Sequence, residues 1–351
     1  MIKKVPYSIL GIISLAIVLK LFNYAIEQQI GSSSQSIDST KAFSVFSLEI
    51  PKKVDFAGEL VPLQIVDVYE RLDRELIVNT YWQSQTLLFH KRAYKYFPLM
   101  EPILKKYGIP DDFKYLALVE SAFTNIVSPA GATGFWQLMD ATAISYGLEV
   151  NEEVDERYHI EKSTETACKY ILEAYKQLKS WTLVAASYNM GITGILNQLE
   201  RQKANNYYDL LLNEETSRYV FRAIAVKLII TNPQKYGYYI TAKNLYKPIE
   251  TFTISVDSAI TDLAVFASLQ NVNYKILKIF NPWLRQSYLT NTEHKKYIIT
   301  LPKNFVNEDY LYDHGYNYEE GSSLEKDSND FQNIDTSSPN NPINIDSVIK
   351  N

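Results

Sequence analysis

The chain has 351 residues, 46% of them apolar and 21% charged, with a formal net charge of −5. That balance builds a substantial core in two or three compact units and excludes both a wholly disordered chain and a multi-span membrane protein. The acidic surplus offers no field for a phosphate backbone, so no nucleic acid is expected as a partner. A single cysteine, Cys168, and four scattered histidines leave neither a disulfide nor metal-ligand spacing, so no metal and no cofactor is expected.

The first residues, Met-Ile-Lys-Lys, precede an uncharged apolar run (5–19), Lys20 and a second apolar stretch (21–26). Residues 1–30 read as an export signal: either a cleaved signal peptide or a membrane anchor over 5–26 in which Lys20 snorkels to the interface. Both readings place the remainder in a periplasmic or other extracytoplasmic compartment. No cysteine follows the run, so the chain is not expected to be a lipoprotein. Residues 31–59, Ser-rich at their start, read as a linker.

From Leu60 the apolar residues Val61, Ile65, Val68, Leu72 and Leu76 fall at helical spacing, and residues 81–97 continue one long helical segment up to Pro98. Gly108-Ile109-Pro110 punctuates the chain, and Asp111 or Asp112 is placed to cap a helix over 113–123. Further helices are expected from about Thr164, with Ala167, Tyr170, Ile171, Ala174 and Leu178 on one face, from Trp181 to a cap at Gly191, and over 216–230. The expected fold class is mainly α: a helical domain over 60–245, then a small α+β module over 246–305. In that module β-prone alternation at 251–256, helical runs at 259–268 and 274–280 and a closing strand at 296–301 make a βααβ unit. Residues 306–351, rich in Asn, Ser, Asp and Pro, read as a disordered tail.

Glu120 stands in Tyr115-Leu116-Ala117-Leu118-Val119-Glu120-Ser121-Ala122-Phe123, a helical run apolar around almost its whole circumference. A carboxyl there is desolvated and keeps its proton to higher pH, the profile of a general acid; pairing with an Arg or capping a neighbouring helix is the plainer explanation of the same residue. Residues 128–139 combine a Gly-rich turn, the pair Phe135-Trp136 and Gln137, which suits a saccharide groove and equally a structural turn over a core tryptophan. Tyr188-Asn189 puts a hydroxyl and an amide where they face a cleft or close a helix. Asp155-Glu156-Arg157 reads as a structural salt bridge or cap rather than an acid pair. The 27 tyrosines suit surfaces that bind sugars or peptides, and no Ser or Cys nucleophile sits in a recognisable elbow.

In order and spacing, Glu120-Ser121, Gly131-Ala132-Thr133-Gly134-Phe135-Trp136-Gln137-Leu138-Met139, Ala186-Ser187-Tyr188-Asn189-Met190-Gly191 and Glu215-Thr216-Ser217-Arg218-Tyr219-Val220 resemble the lytic transglycosylases of glycoside hydrolase family 23. Within that family the pattern is similar to the membrane-bound lytic murein transglycosylase D type, which also includes a stretch like Val154-Asp155-Glu156-Arg157. The resemblance runs from about Tyr94 to Tyr238 and implies a lysozyme-like (SLT) catalytic domain with its core at 94–238. The implied reaction cleaves the β-1,4 bond between N-acetylmuramic acid and N-acetylglucosamine in peptidoglycan glycan strands and leaves 1,6-anhydromuramoyl ends. By motif position Glu120 is the catalytic acid and later the base, and Ser121, Gln137, Tyr188, Asn189 and Tyr219 are substrate-binding or Glu-orienting. Most glycosidases use two carboxylates, but substrate-assisted ones are exceptions, and no second carboxylate stands out beside Glu120. Residues 249–303 resemble a LysM repeat, with Val256-Asp257-Ser258 where a Gly-Asp-Thr turn is usual.

The chain departs from the family pattern at Ser187, at Met190, whose bulk is expected to narrow a subsite, and at Asp140, where proline is common. Two alternatives stand beside the transglycosylase reading. A goose-type-lysozyme-like hydrolase would need a carboxylate to activate water, with Asp155 the nearest candidate by sequence. A catalytically idle wall-binding scaffold is the other. The expected partners are peptidoglycan glycan strands and, if residues 5–26 are retained, the membrane.

Overall fold

The computed structural model describes residues 45–305. The expected signal or anchor segment (1–30), the Ser-rich stretch up to residue 44 and the expected disordered tail (306–351) lie outside the described residues. The part of the expected linker from Leu48 to residue 59 is corrected: it packs into the helical core. Leu48, Val54 and Phe56 are buried there, and the Phe56 ring meets Phe113 edge-on at 5.4 Å. Strands β1 (Asp55–Phe56) and β2 (Glu59–Leu60) form a two-residue-deep antiparallel hairpin. So short an element shows no period in the sequence, which is why it reads as linker.

The expected single helix from Leu60 to Phe97 is two: α1 (Val66–Tyr81) and α2 (Gln83–Lys106), broken at Trp82. The break is sealed by Asn79, whose carbonyl accepts the Thr86 hydroxyl at 2.5 Å. Pro98 and Pro102 lie inside α2 rather than ending it. Both are on its solvent side, with Pro98, Pro102 and Tyr94 exposed, where a helix tolerates the missing amide best. A 3-10 turn, Asp111–Phe113, leads into α3 (Lys114–Ser121), and neither aspartate caps it through its side chain. Instead Asp111 pairs with Lys114, and Asp112 accepts from Lys227 and from the Ala57 amide at 2.6 Å each.

Five more helices complete the body: α4 (Asp140–Ser145), α5 (Ile160–Leu178), α6 (Trp181–Met190), α7 (Ile192–Gln202) and α8 (Glu214–Thr231). Helix α5 starts at Ile160 rather than near Thr164 because its cap, His159, makes no side-chain capping bond and leaves no signal in the sequence. Its buried face is Ala167, Ile171, Ala174 and Leu178. Helix α8 is buried over most of its length and packs against α1, α3 and α6, so it forms the axle of the body. Gly191 ends α6 with φ 84°, a conformation that favours glycine.

The C-terminal module is β3 (Thr251–Val256), α9 (Leu263–Leu269), α10 (Tyr274–Phe280) and β4 (Tyr297–Pro302), with β3 and β4 antiparallel in a register running from Thr251 opposite Pro302 to Val256 opposite Tyr297. Asp262 and Asn273 cap the two helices with their side chains. Asn281 is fully buried, and its amide both accepts from Thr300 N and donates to Thr300 O, which ties the end of α10 to β4. The module's core includes Val154 and Tyr158 from the helical body. Asp155 N donates to Trp283 O and Arg285 N to Glu153 O, so the two parts are joined by backbone as well as by apolar contact.

The amino end of α6 depends on Glu59. Its carboxylate accepts from the amides of Trp181 (2.6 Å) and Thr182 (2.9 Å) and from the hydroxyls of Ser180 (2.9 Å) and Thr182 (2.8 Å). These donors are helix-start groups with no partner inside the helix, and a charge-assisted cap satisfies them. Glu59→Ala is expected to lose about 2 kcal/mol of stability, read from urea denaturation; a loss below about 0.5 kcal/mol would show that water serves the helix end as well.

Candidate active site

Helix α3 is buried nearly all round, with Tyr115 to Val119 and Ser121 inside, and Glu120 alone at its end keeps partial access to solvent. Desolvation pushes the Glu120 carboxyl up to about 7. The hydrogen bond from Tyr219 and the charge of Arg222 pull the other way, and Glu215 adds a small push upward. Beyond Ser121 the chain leaves the helix sharply, with Ala122 and Phe123 both at φ 52°. That backbone is held by Ser121, whose hydroxyl accepts from Phe123 N at 3.1 Å and donates to Phe135 O at 2.9 Å. Ser121 is 3% exposed with its hydroxyl engaged by these two partners, which makes it a brace behind Glu120.

The loop over 124–139 folds back across the end of α3. Gly134 sits at φ 79°, and a Cβ built on it would lie 2.2 Å from the Arg157 carbonyl oxygen, so only glycine fits. Trp136 is fully buried and donates its indole N–H to Thr164 Oγ1 at 2.9 Å. Of the two readings, the core aromatic is the one observed for Trp136, because a sugar has no access to a ring with no exposed surface. Gln137 is half-buried at φ 47°; its Nε2 donates to Gly134 O at 2.8 Å and Ile126 O at 3.2 Å and holds the loop closed.

Helices α6 and α8 bring the remaining side chains. Tyr219 Oη donates to Glu120 Oε1 at 2.5 Å. Tyr188 Oη donates to Trp136 O at 2.8 Å, which pins the loop to α6. Burial, then the nearby Glu120 charge, holds both phenols well above their usual range, so both stay protonated as donors. Asn189 is a bridge rather than a free amide: Oδ1 accepts from Thr216 Oγ1 at 2.7 Å and Nδ2 donates to Glu215 Oε1 at 3.0 Å, which fastens the end of α6 to the start of α8.

Glu120, Tyr188 and Tyr219 therefore converge, and Ser121, Gln137 and Asn189 brace the elements that carry them. Asp155 does not join them. It is buried, caps the 3-10 turn at Glu156–Tyr158, and is held by Arg157 at 2.9 Å and 2.7 Å, so both of its oxygens are engaged. Two residues that act on Glu120 were not singled out as site residues in the sequence, Glu215 and Arg222. They stand four before and three after Tyr219, the spacing that places all three on one face of α8, and that periodicity was the available signal.

A carboxyl raised from its ordinary 4.5 to about 7 stays protonated in the folded chain where the unfolded chain has ionised. Stability therefore falls as pH rises across that window, and the full penalty is in place above 7. Glu120→Gln removes the penalty. The variant is expected to be more stable than the parent above pH 7 by at most about 3 kcal/mol, and equal to it below pH 4.5, read from paired urea titrations; a pH-independent difference would contradict the desolvated carboxyl.

Residues 99–211 match the transglycosylase SLT domain family, and residues 252–305 match the soluble lytic transglycosylase C-terminal LysM-like domain family. Over 243 residues the chain is 27% identical to the membrane-bound lytic murein transglycosylase D of Escherichia coli, in two strains, covering 67% of this chain and 52% of the relative. The chain thus spans about half the length of the curated relatives it matches. Among solved structures, an inactive mutant of the lytic transglycosylase Slt from Pseudomonas aeruginosa is 18% identical with a TM-score of 0.34, covering 42% of this chain and 26% of that one. The 70 kDa soluble lytic transglycosylase from Escherichia coli is 20% identical with a TM-score of 0.33 and the same coverage, 42% and 26%. Glu120, Gln137, Tyr188 and Asn189 lie inside the first matched segment and the β3–β4 pair within the second, give or take a residue at its start, so the chain carries a segment that matches the SLT domain followed by one that matches the LysM-like domain.

Proposed function

We propose that this chain is an exported peptidoglycan lytic transglycosylase in which Glu120 is the single acid and base. The observation that carries the reading is Glu120 itself: a carboxyl raised to about 7 by desolvation, gripped at 2.5 Å by Tyr219, inside the segment that matches the SLT domain. Action on peptidoglycan requires export, which the apolar segment 5–26 would supply, whether it is cleaved or stays as a membrane anchor. In this reading residues 60–245 form the transglycosylase domain and residues 246–305 the wall-facing module.

The Tyr219 bond makes Oε1 an acceptor, so in the acid form the proton sits on Oε2, the oxygen left for substrate. That proton passes to the glycosidic oxygen as the C1–O bond between N-acetylmuramic acid and N-acetylglucosamine breaks. The carbonyl of the muramic acid's own acetamido group meets the charge at C1, which removes the need for a second protein carboxylate. The Glu120 carboxylate then takes the proton of the C6 hydroxyl, whose oxygen bonds C1. One bond breaks, one forms, the proton returns to Glu120 and no water is consumed. An attacker within the same ring has the advantage of proximity over a diffusing water.

A hydrolytic reading has one specific observation in its favour. Glu215 is an exposed carboxylate close enough to be felt at Glu120, and it is better placed than Asp155 to activate water. Its influence is the smallest of those acting on Glu120, and one of its oxygens accepts from Asn189, which supports the transglycosylase as the better reading.

Muropeptides released from purified sacculi should be one water lighter than hydrolysed products; hydrated reducing ends alone would establish the hydrolase. Glu120→Gln should lower turnover at least about 100-fold while glycan binding persists. Because the first step needs protonated Glu120, kcat/KM should fall as pH rises through about 7, and a profile flat from pH 6 to 8 would remove Glu120 as the acid.

A further inference from the structure

Asn189 stands near the end of α6, one residue after Tyr188, and is half-buried. Its amide makes two bonds: Nδ2 donates to Glu215 Oε1 at 3.0 Å, and Oδ1 accepts from Thr216 Oγ1 at 2.7 Å. A carboxylate only accepts, so the NH2 group must face Glu215 and the amide carbonyl must face Thr216. The NH2 group carries two N–H donors, and one of them has no acceptor among the described residues. Glu215 lies close enough for its charge to be felt at Glu120, so this spare N–H is on the rim of the same site. Thr216 itself is fixed. It is fully buried as the third residue of α8, its backbone N–H donates to Asn213 Oδ1 at 2.8 Å, and its carbonyl accepts from Tyr207 Oη at 3.1 Å. The next residue, Ser217, turns its hydroxyl back to Glu214 O at 2.9 Å, as hydroxyls on helices often do. The Thr216 hydroxyl instead reaches across to α6, where Asn189 is its one partner among the described residues.

We propose that Thr216 is a positioning residue for the glycan strand: by holding Asn189 Oδ1 it fixes the amide in one orientation, and the spare N–H of Asn189 receives an acceptor oxygen of the bound strand. The ligand in this assignment rests on the peptidoglycan reading; the lock on the amide rests on the two bonds alone. Glu215 by itself is a poorer hold, because its side chain is exposed and free to swing with the amide. Thr216 is not free in that way, since its backbone is tied at both the amide and the carbonyl and its branched side chain has few rotamers. Without the hydroxyl, the amide turns over and presents its carbonyl for part of the time, and a carbonyl gives nothing to an acceptor oxygen. The threonine thus acts on the strand only through Asn189.

The test titrates the full-length Glu120→Gln protein, as parent, with labelled soluble glycan strands. Thr216→Val keeps the shape of the side chain and removes the hydroxyl; it should raise Kd about fivefold, and Thr216→Ser should stay within about twofold of the parent. Asn189→Ala should weaken binding at least as much, and adding Thr216→Val to it should bring no further loss. Asn189→Asp still accepts from Thr216 but has no N–H and meets Glu215 as a like charge, so it should bind no better than Asn189→Ala; it carries the test if Thr216→Val does not fold. An unchanged Kd in Thr216→Val, a serine variant as weak as the valine one, losses that add in the double variant, or an Asn189→Asp protein that binds like the parent each overturns the proposal. So does a Thr216→Val protein that loses thermal stability alone, which would make the bond a structural tie. Anhydro products from the wild-type chain together with additive losses refute the role of Thr216 only. Strand binding without anhydro products refutes the transglycosylase reaction and leaves the Thr216 comparison readable, and no binding to strands overturns both.

Discussion

Tyr219 and Glu120 are 99 residues apart in the chain, and the 2.5 Å bond between them exists only because α3 and α8 pack side by side through the centre of the body. Helix α8 is held from several directions. Lys227 reaches Asp112 and Asp55, Arg218 reaches the buried Glu75, and Arg71 donates to Ser217 O at 2.6 Å while its guanidinium lies 4.5 Å from the Phe221 ring centroid. A hydrogen bond to a desolvated carboxyl is worth more than one in water, but only if its donor cannot drift. The packing of α8 meets that condition, while the protonation of Glu120 comes from its desolvation, which the Tyr219 bond opposes.

The loop over the end of α3 depends on the same logic of interlocked supports. Ser121 holds Phe135, Tyr188 holds Trp136, Trp136 holds Thr164, and Gly134 leaves room for the Arg157 carbonyl. Arg157 in turn donates to Gly131 O and pairs with Asp140 and Asp155. Asp140 is the first residue of α4 and one of these anchors. The segment from Glu149 to Tyr158 therefore faces two ways: it buttresses the site loop and carries the C-terminal module, through Val154, Asp155 and the Glu149 contacts to Lys295 and Tyr297.

Short motifs made the main residues legible. An isolated Glu in an apolar helix has few physical explanations, and the spacing of the tyrosine and amide motifs narrowed them. Roles were less legible than identities. Ser121 and Trp136 stand beside site residues in the sequence yet are fully internal, because a hydroxyl or an indole N–H is as often satisfied by a neighbouring loop as by a ligand. Pro98 looked like a break and, with Pro102, is tolerated inside α2.

The sequence by itself determined the helical body, the βααβ module, the desolvated Glu120 and the family motifs, because each is a local pattern of periodicity or spacing. Only the tertiary structure decided that Phe56 and its hairpin belong to the core, that Asp155 is consumed by Arg157, and that the face of α8 carrying Glu215, Tyr219 and Arg222 meets Glu120. Those outcomes depend on which surfaces meet, and burial between elements distant in the chain leaves no periodic trace in either one.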